Sequence, residues 1–134
     1  MKKDIEFNKV ENISVAVARK PTETDEYDWH VYLINDNHFP IINVLVTSKG
    51  YGFKGEEKQM TSTLRHLIEE VGAGDFAVVE RIDPSVFHLY NEYWVSYYVK
   101  DKIYDKKFIF VPEAIIEDHL VMIDKLNMEG VLHS

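Results

Sequence analysis

Apolar and polar residues alternate in several short runs along the chain. In ISVAVARK (13–20), Ile13, Val15 and Val17 fall on one side, as a half-buried strand requires. DWHVYLIN (28–35) is rich in β-branched and aromatic residues and apolar on both sides. IINVLVTSK (41–49) follows after DNHFP (36–40), a link short enough to predict an antiparallel hairpin. FAVVERID (76–83) resumes the alternation until Pro84 stops it. The aromatic run NEYWVSYYVK (91–100) and KKFIFV (106–111) read as one more pair across a turn. Elsewhere the period changes. MTSTLRHLIEEV (60–71) puts Met60, Leu64, Leu67, Ile68 and Val71 on one stripe and Arg65, His66, Glu69 and Glu70 opposite. This spacing predicts a helix, capped by Thr61 or Ser62 at its start and by Gly72 or Gly74 at its end. PEAIIEDHLVMIDKLN (112–127) opens on a proline and repeats the stripe with Ile116, Leu120 and Ile123, predicting a second helix.

The expected order is therefore βββαβββα. It describes an α+β domain, mostly antiparallel, with both helices on one face of the sheet. The two halves look alike. DWHVYLINDN aligns with YWVSYYVKDK, matching Trp29 to Trp94, Tyr32 to Tyr97 and Asp36 to Asp101. This suggests an internal duplication, with pseudo-repeats over 13–72 and 76–130 inside a single domain of 134 residues.

Charge narrows the classes. The net charge is −8, the wrong sign for displacing counterions from a nucleic acid and for adhering to an anionic membrane. The absence of cysteine excludes disulfides, thiolate metal sites and a cysteine nucleophile, and suits a reducing cytoplasm. The opening MKKDIEFNKVEN lacks the apolar stretch of a secretory signal, and no apolar run approaches the ~18 residues of a membrane span. A cytoplasmic protein is expected.

The one match to a familiar chemical motif is KGYGFKG, where Gly50, Gly52 and Gly55 have the spacing G-x-G-x-x-G. Lys49, Lys54, Lys58 and Arg65 make the stretch locally basic, as an anion site would want. A dinucleotide loop, however, joins parallel strands through a helix that starts at the glycines, and carries an acidic residue some 20 positions on. Here the preceding strand belongs to a hairpin, the capping residues lie well past Gly55, and that acid is missing. Six histidines (His30, His38, His66, His88, His119 and His133) include no i, i+4 pair of the kind that grips a metal from one helix, so neither a metal nor a cofactor is expected. No serine sits on a glycine elbow, and no residue set stands out as catalytic.

The aromatic strands point elsewhere. In EYWVSYYV, Trp94, Ser96 and Tyr98 face one way, while Tyr93, Val95, Tyr97 and Val99 face the other. DWHVYLI splits likewise. Helices can cover one face of a sheet, so an aromatic second face would be left for a partner. The leading expectation is a non-catalytic interaction protein, forming a homodimer or binding another protein through Trp29, Tyr32, Trp94, Tyr97 and Tyr98. The alternative is a phosphate- or nucleotide-type ligand held by Gly50, Gly52, Lys54, Gly55, Lys58 and Arg65.

Several strings, LVTSKGYG, TSTLRH, NEYWVSYYV, KKFIFVPEAI and MEGVL, resemble a set of small uncharacterised bacterial proteins of the Bacteroidetes type, from about residue 5 to residue 132. Some members of that set carry the label phenylalanyl-tRNA synthetase subunit. Such a label implies sites for ATP, an amino acid and tRNA. This short acidic chain shows no arginine motif for ATP, and the resemblance transfers no catalytic or binding residue to it.

Overall fold

Ten strands account for most of the chain. In a computed structural model that describes residues 8–134 they run β1 (Ile13–Pro21), β2 (Tyr27–Asn35), β3 (Ile41–Lys54), β4 (Glu57–Met60), β5 (Leu64–Val71), β6 (Phe76–Arg81), β7 (Tyr90–Val99), β8 (Lys102–Phe110), β9 (Val121–Ile123) and β10 (Met128–His133). The start of the chain, MKKDIEF, lies outside the described residues. One sheet has the order β6-β2-β1-β10-β9. The other is β4-β3-β7-β8, with β5 pairing β3 on the same edge as β4. All these named pairings are antiparallel.

The six runs read as strands from their alternation correspond to β1, β2, β3, β6, β7 and β8, but the hairpin expected across DNHFP does not form, because that link carries the chain from one sheet to the other. The α+β assignment is corrected: the described residues contain no α-helix, only 3₁₀ turns at Pro84–Val86 and Glu117–His119. The stretch 60–71 enters β5 instead. There Leu64, His66 and Ile68 pair with Ser48, Val46 and Val44 and share their inward side, while Arg65, Leu67 and Glu69 point outward. A long β3 offers an open edge with buried side chains below it, and pairing to that edge outweighs the helix preference of Leu, Arg and Glu. Residues 112–127 also form no helix. They cross from the second sheet to the first, plug one end with buried Ile115, and finish as β9. The repeat is not mirrored in the pairing either: β1 and β6 both flank β2, and neither pairs β7.

The two sheets pack face to face over one core. Ile13, Val15 and Val17 of β1 with Val31 and Leu33 of β2 meet Val44 and Val46 of β3, Tyr93, Val95 and Tyr97 of β7, and Phe108 and Phe110 of β8. A second cluster lies on the outer side of the first sheet. Ala16, Ala18, Tyr32 and Ile34 are buried there beneath Ile123 and Leu126, the latter in the β9–β10 turn. Lys125 ties that turn down, its Nζ donating to the Gly74 carbonyl at 2.8 Å and pairing with Asp36 at 3.3 Å. Small residues are required underneath: a Cβ at Gly130 would stand 2.5 Å from the Val17 carbonyl and 2.8 Å from Ala18.

Polar fasteners hold the ends. Asn35 is fully buried. Its amide donates toward the carbonyls of Phe39, Val71 and Gly72, and its oxygen accepts from the backbone and side-chain nitrogens of Asn37. At the opposite end Arg19 makes a two-pronged bond to Glu117, 2.8 Å on each arm, beneath the ring of Tyr27. That guanidinium holds the Glu117 carboxyl below the usual carboxylate range.

Candidate functional site

Pairing fixes what each sheet shows to water. On the outer side of the second sheet the register lays out rows across the strands: Leu67–Leu45–Ser96–Asp105, then Arg65–Thr47–Trp94–Lys107, then Lys49–Glu92–Ile109, then Met60–Tyr51–Tyr90. Phe53 and Lys58 extend one end, Tyr98 and Ile103 the other. Leu67 is 73% exposed, Met60 67% and Phe53 62%, and Leu45, Trp94, Tyr90, Tyr98 and Ile103 are also open to water. No segment of the described chain crosses this face in the way the β9–β10 turn crosses the other.

The face is stiffened from within. Trp94 donates its indole N–H to Asp105, and Lys107 lies over its ring at 5.0 Å. Tyr51 and Tyr90 stack with centroids 5.5 Å apart. Glu92, only 5% exposed, accepts from the Tyr51 hydroxyl at 3.2 Å, with Lys49 and Lys107 at 3.7 and 4.0 Å. Burial, followed by the bond to Glu92, pushes the Tyr51 hydroxyl pKa upward. A buried carboxylate on the water-facing side of a sheet is unusual, and it is kept there by two lysine stems and a phenol.

Of the residues expected at an interface, Trp94 and Tyr98 share this outer face. Tyr97 faces the core, where burial raises its pKa. Trp29 packs edge-on against Phe87, partly buried beside the same core. Tyr32 belongs to the other sheet, buried on its covered side. The structure thus brings together two of the five.

The glycines are dispersed as well. Gly50 and Gly52 lie within β3, and Gly55 with its φ of +62° forms the two-residue turn into β4. Gly50 donates its N–H to Thr61 Oγ1 at 2.7 Å. Because a strand follows, no helix terminus stands behind these glycines. Lys54 borders a shallow groove with Ser85 and His88, Lys58 borders both that groove and one end of the outer face, and Arg65 sits further along that face.

A third arrangement had no signal in the sequence. Glu80 of β6 reaches between the sheets, and one of its oxygens, Oε1, accepts from Ser48 Oγ at 2.7 Å and meets His66 Nε2 at 2.6 Å. The three side chains come from three strands and bridge the sandwich where the edges β5 and β6 approach. A cavity of about 220 Å³ opens beside them, lined by Tyr93, Asn91, Leu64 and Ile82 among others. This is not a nucleophilic triad: the serine bonds to the carboxylate, and the histidine does not stand between them. Among the described residues no group of three His, Cys, Asp or Glu side chains is placed to hold a metal ion.

The class defined by these observations is a two-sheet antiparallel β-sandwich with one outer face covered by its own chain and one left open, where exposed apolar side chains stand among charged ones. Scans of the chain against protein-family models, curated proteins and solved structures each find no match. Among the described residues no helix is long and apolar enough to cross a membrane.

Proposed function

We propose that the protein acts as an interaction module, and that the occupant of its open face is a second copy of the same chain. The observation that carries this reading is the row structure of the outer face, where Leu67, Leu45, Trp94, Tyr98, Met60 and Phe53 are exposed on one continuous surface. Exposed apolar surface of this extent on a folded protein marks a contact site. Four strand positions at ~4.8 Å and about nine residues at ~3.4 Å give a flat projection of roughly 600 Å². The accessible area of such a rough surface exceeds its projection, which matches the ~800 Å² per partner of a specific dimer.

A two-fold axis along the strands sets Trp94 of one copy over Thr47 of the other, so both indole rings lie close to the axis and at the middle of the contact. Trp94, at the centre and already held by Asp105 and Lys107, is the anchor residue.

Sedimentation velocity tests this reading. At micromolar concentration the wild type is expected to run as a dimer, and Leu67→Lys with Trp94→Asp as a monomer with an unchanged circular dichroism spectrum. A wild type that stays monomeric at high micromolar concentration, or a dimer unaffected by both substitutions, overturns it.

A further inference from the structure

The cavity beside Glu80 is not part of the open face and makes a separate demand. The Glu80 carboxylate is largely buried, with its side chain 14% exposed. Both of its contacts fall on Oε1, and among the described residues no donor reaches Oε2. No lysine or arginine is paired with it. Lys49 and Arg81 both border the cavity, but Lys49 pairs with Glu92 on the outer face and the exposed Arg81 pairs with Asp28. The Asn91 amide nitrogen is spent on the carbonyls of Val86 and Leu89, leaving its oxygen as an acceptor. Among the described residues the buried polar side-chain atoms without a partner lie elsewhere, at Arg19 Nε and His30 Nδ1, so Oε2 is open to the cavity, where a cationic donor can reach it.

Most of the lining surface is apolar, from Leu64, Ile82, Val86 and the ring of Tyr93, while Lys49, Arg81 and Asp83 also border the cavity with Thr61 and Ser62. Gly50 keeps the space clear, since a Cβ there would lie 3.0 Å from the Thr61 methyl and 3.3 Å from Asn91 Oδ1. The volume of about 220 Å³ can be set against an engineered cavity of about 150 Å³ that already holds a benzene ring. It falls short of the roughly 300–1,000 Å³ of sites for larger ligands. A largely apolar wall, two carboxylates of which Glu80 is the buried one, and single-ring dimensions fit a small aromatic cation.

We propose that this cavity is a binding site for a single-ring amine or amidine, whose N–H donors engage Glu80 Oε2 while the ring packs on Tyr93, Leu64 and Ile82. Ser48 and His66 are positioning residues. By loading Oε1 they hold the carboxylate in one orientation and leave the other oxygen for the ligand.

Benzylamine and benzamidine are the probes, with benzyl alcohol as the neutral control, titrated into the full chain and followed by amide resonances. Saturable shifts confined to residues around Gly50, Glu80 and Asn91 are expected, with the alcohol bound at least tenfold more weakly. Glu80→Gln should lose at least tenfold in affinity. Because that change also disturbs the cross-sheet bridge, Ser62→Phe serves as a second variant: Ser62 is exposed at the cavity mouth, and the ring should block entry without touching the core. Absence of saturable shifts at millimolar amine would mean a cavity that holds water alone and would overturn the proposal. So would equal binding of amine and alcohol, or binding that survives both substitutions.

Discussion

The two outer faces of this sandwich are built from the same kind of strand but treated in opposite ways. On the first sheet the outward positions of β1 are Ala16 and Ala18, and the β9–β10 turn lies over them with Ile123 and Leu126. On the second sheet the outward positions of β3 and β7 are Leu45, Thr47, Trp94 and Tyr98, and nothing in the described chain covers them. Ala16 and Ala18 let a chain segment approach the middle of the first sheet, and no alanine or glycine faces outward at the middle of the second. The difference teaches that the protein leaves one apolar surface open although it has the means to cover such a surface, as it does on the opposite side.

Removing the cover should have the largest effect. Leu126→Ala takes a buried side chain out of the small outer cluster and is expected to cost about 2–4 kcal/mol, read as a lower midpoint in urea with an unchanged slope. Should this variant melt like the wild type, the cover would be an ornament and the contrast between the faces would lose its meaning.

A smaller effect is expected from the clamp that steers the covering segment. The Glu117 carboxyl has a folded-state pKa lowered by the hydrogen bond from Arg19, so it favours the folded protein wherever it is ionised. That contribution is fully present above the unfolded carboxylate value of about 4.3 and fades as pH falls through the lower, folded value. Thermal melts should therefore show Glu117→Gln less stable than wild type at neutral pH, with the two curves converging in acid. A gap that stays constant with pH would mean the carboxylate charge is irrelevant. The smallest change belongs to the open face. Leu67→Ala, at a position 73% exposed, should leave the stability of the separated chain within about 0.5 kcal/mol while weakening self-association. A loss of a kilocalorie or more in dilute solution would show that Leu67 serves the fold instead.

Much of the sandwich was legible in the alternation of the chain. The phase of EYWVSYYV correctly separated Trp94 and Tyr98 from Tyr93 and Tyr97, because the two-residue period of a strand is a local property. What misled was LRHLIEEV. Its apolar residues satisfy a helical stripe and a strand face equally well, and only the long edge of β3, a non-local fact, decides between them. The segment 112–127 failed for a related reason. Its apolar residues are divided between two clusters, Ile115 in the main core and Ile123 with Leu126 on the outer side, so their spacing reflects a path over the surface. The Glu80 bridge could not be read at all. It needs Ser48, His66 and Glu80 to converge from three strands, whereas a helix over 60–71 would turn His66 away from the apolar stripe. The burial of Glu92 on a water-facing row likewise depends on which lysines the register places around it.

The pairing of β1 with β10 also has a consequence in time. Val17 finds its neighbour Val131 far along the chain, on the last strand of the sheet to be made, and contacts so distant are the slow ones in folding. Until β10 is in place, the central strand of the first sheet has a bare edge of hydrogen-bonding groups, and its alanines lack their cover. A growing chain must therefore hold that edge unsatisfied until β10 has been made, which makes β1 the point where premature association between nascent copies would begin.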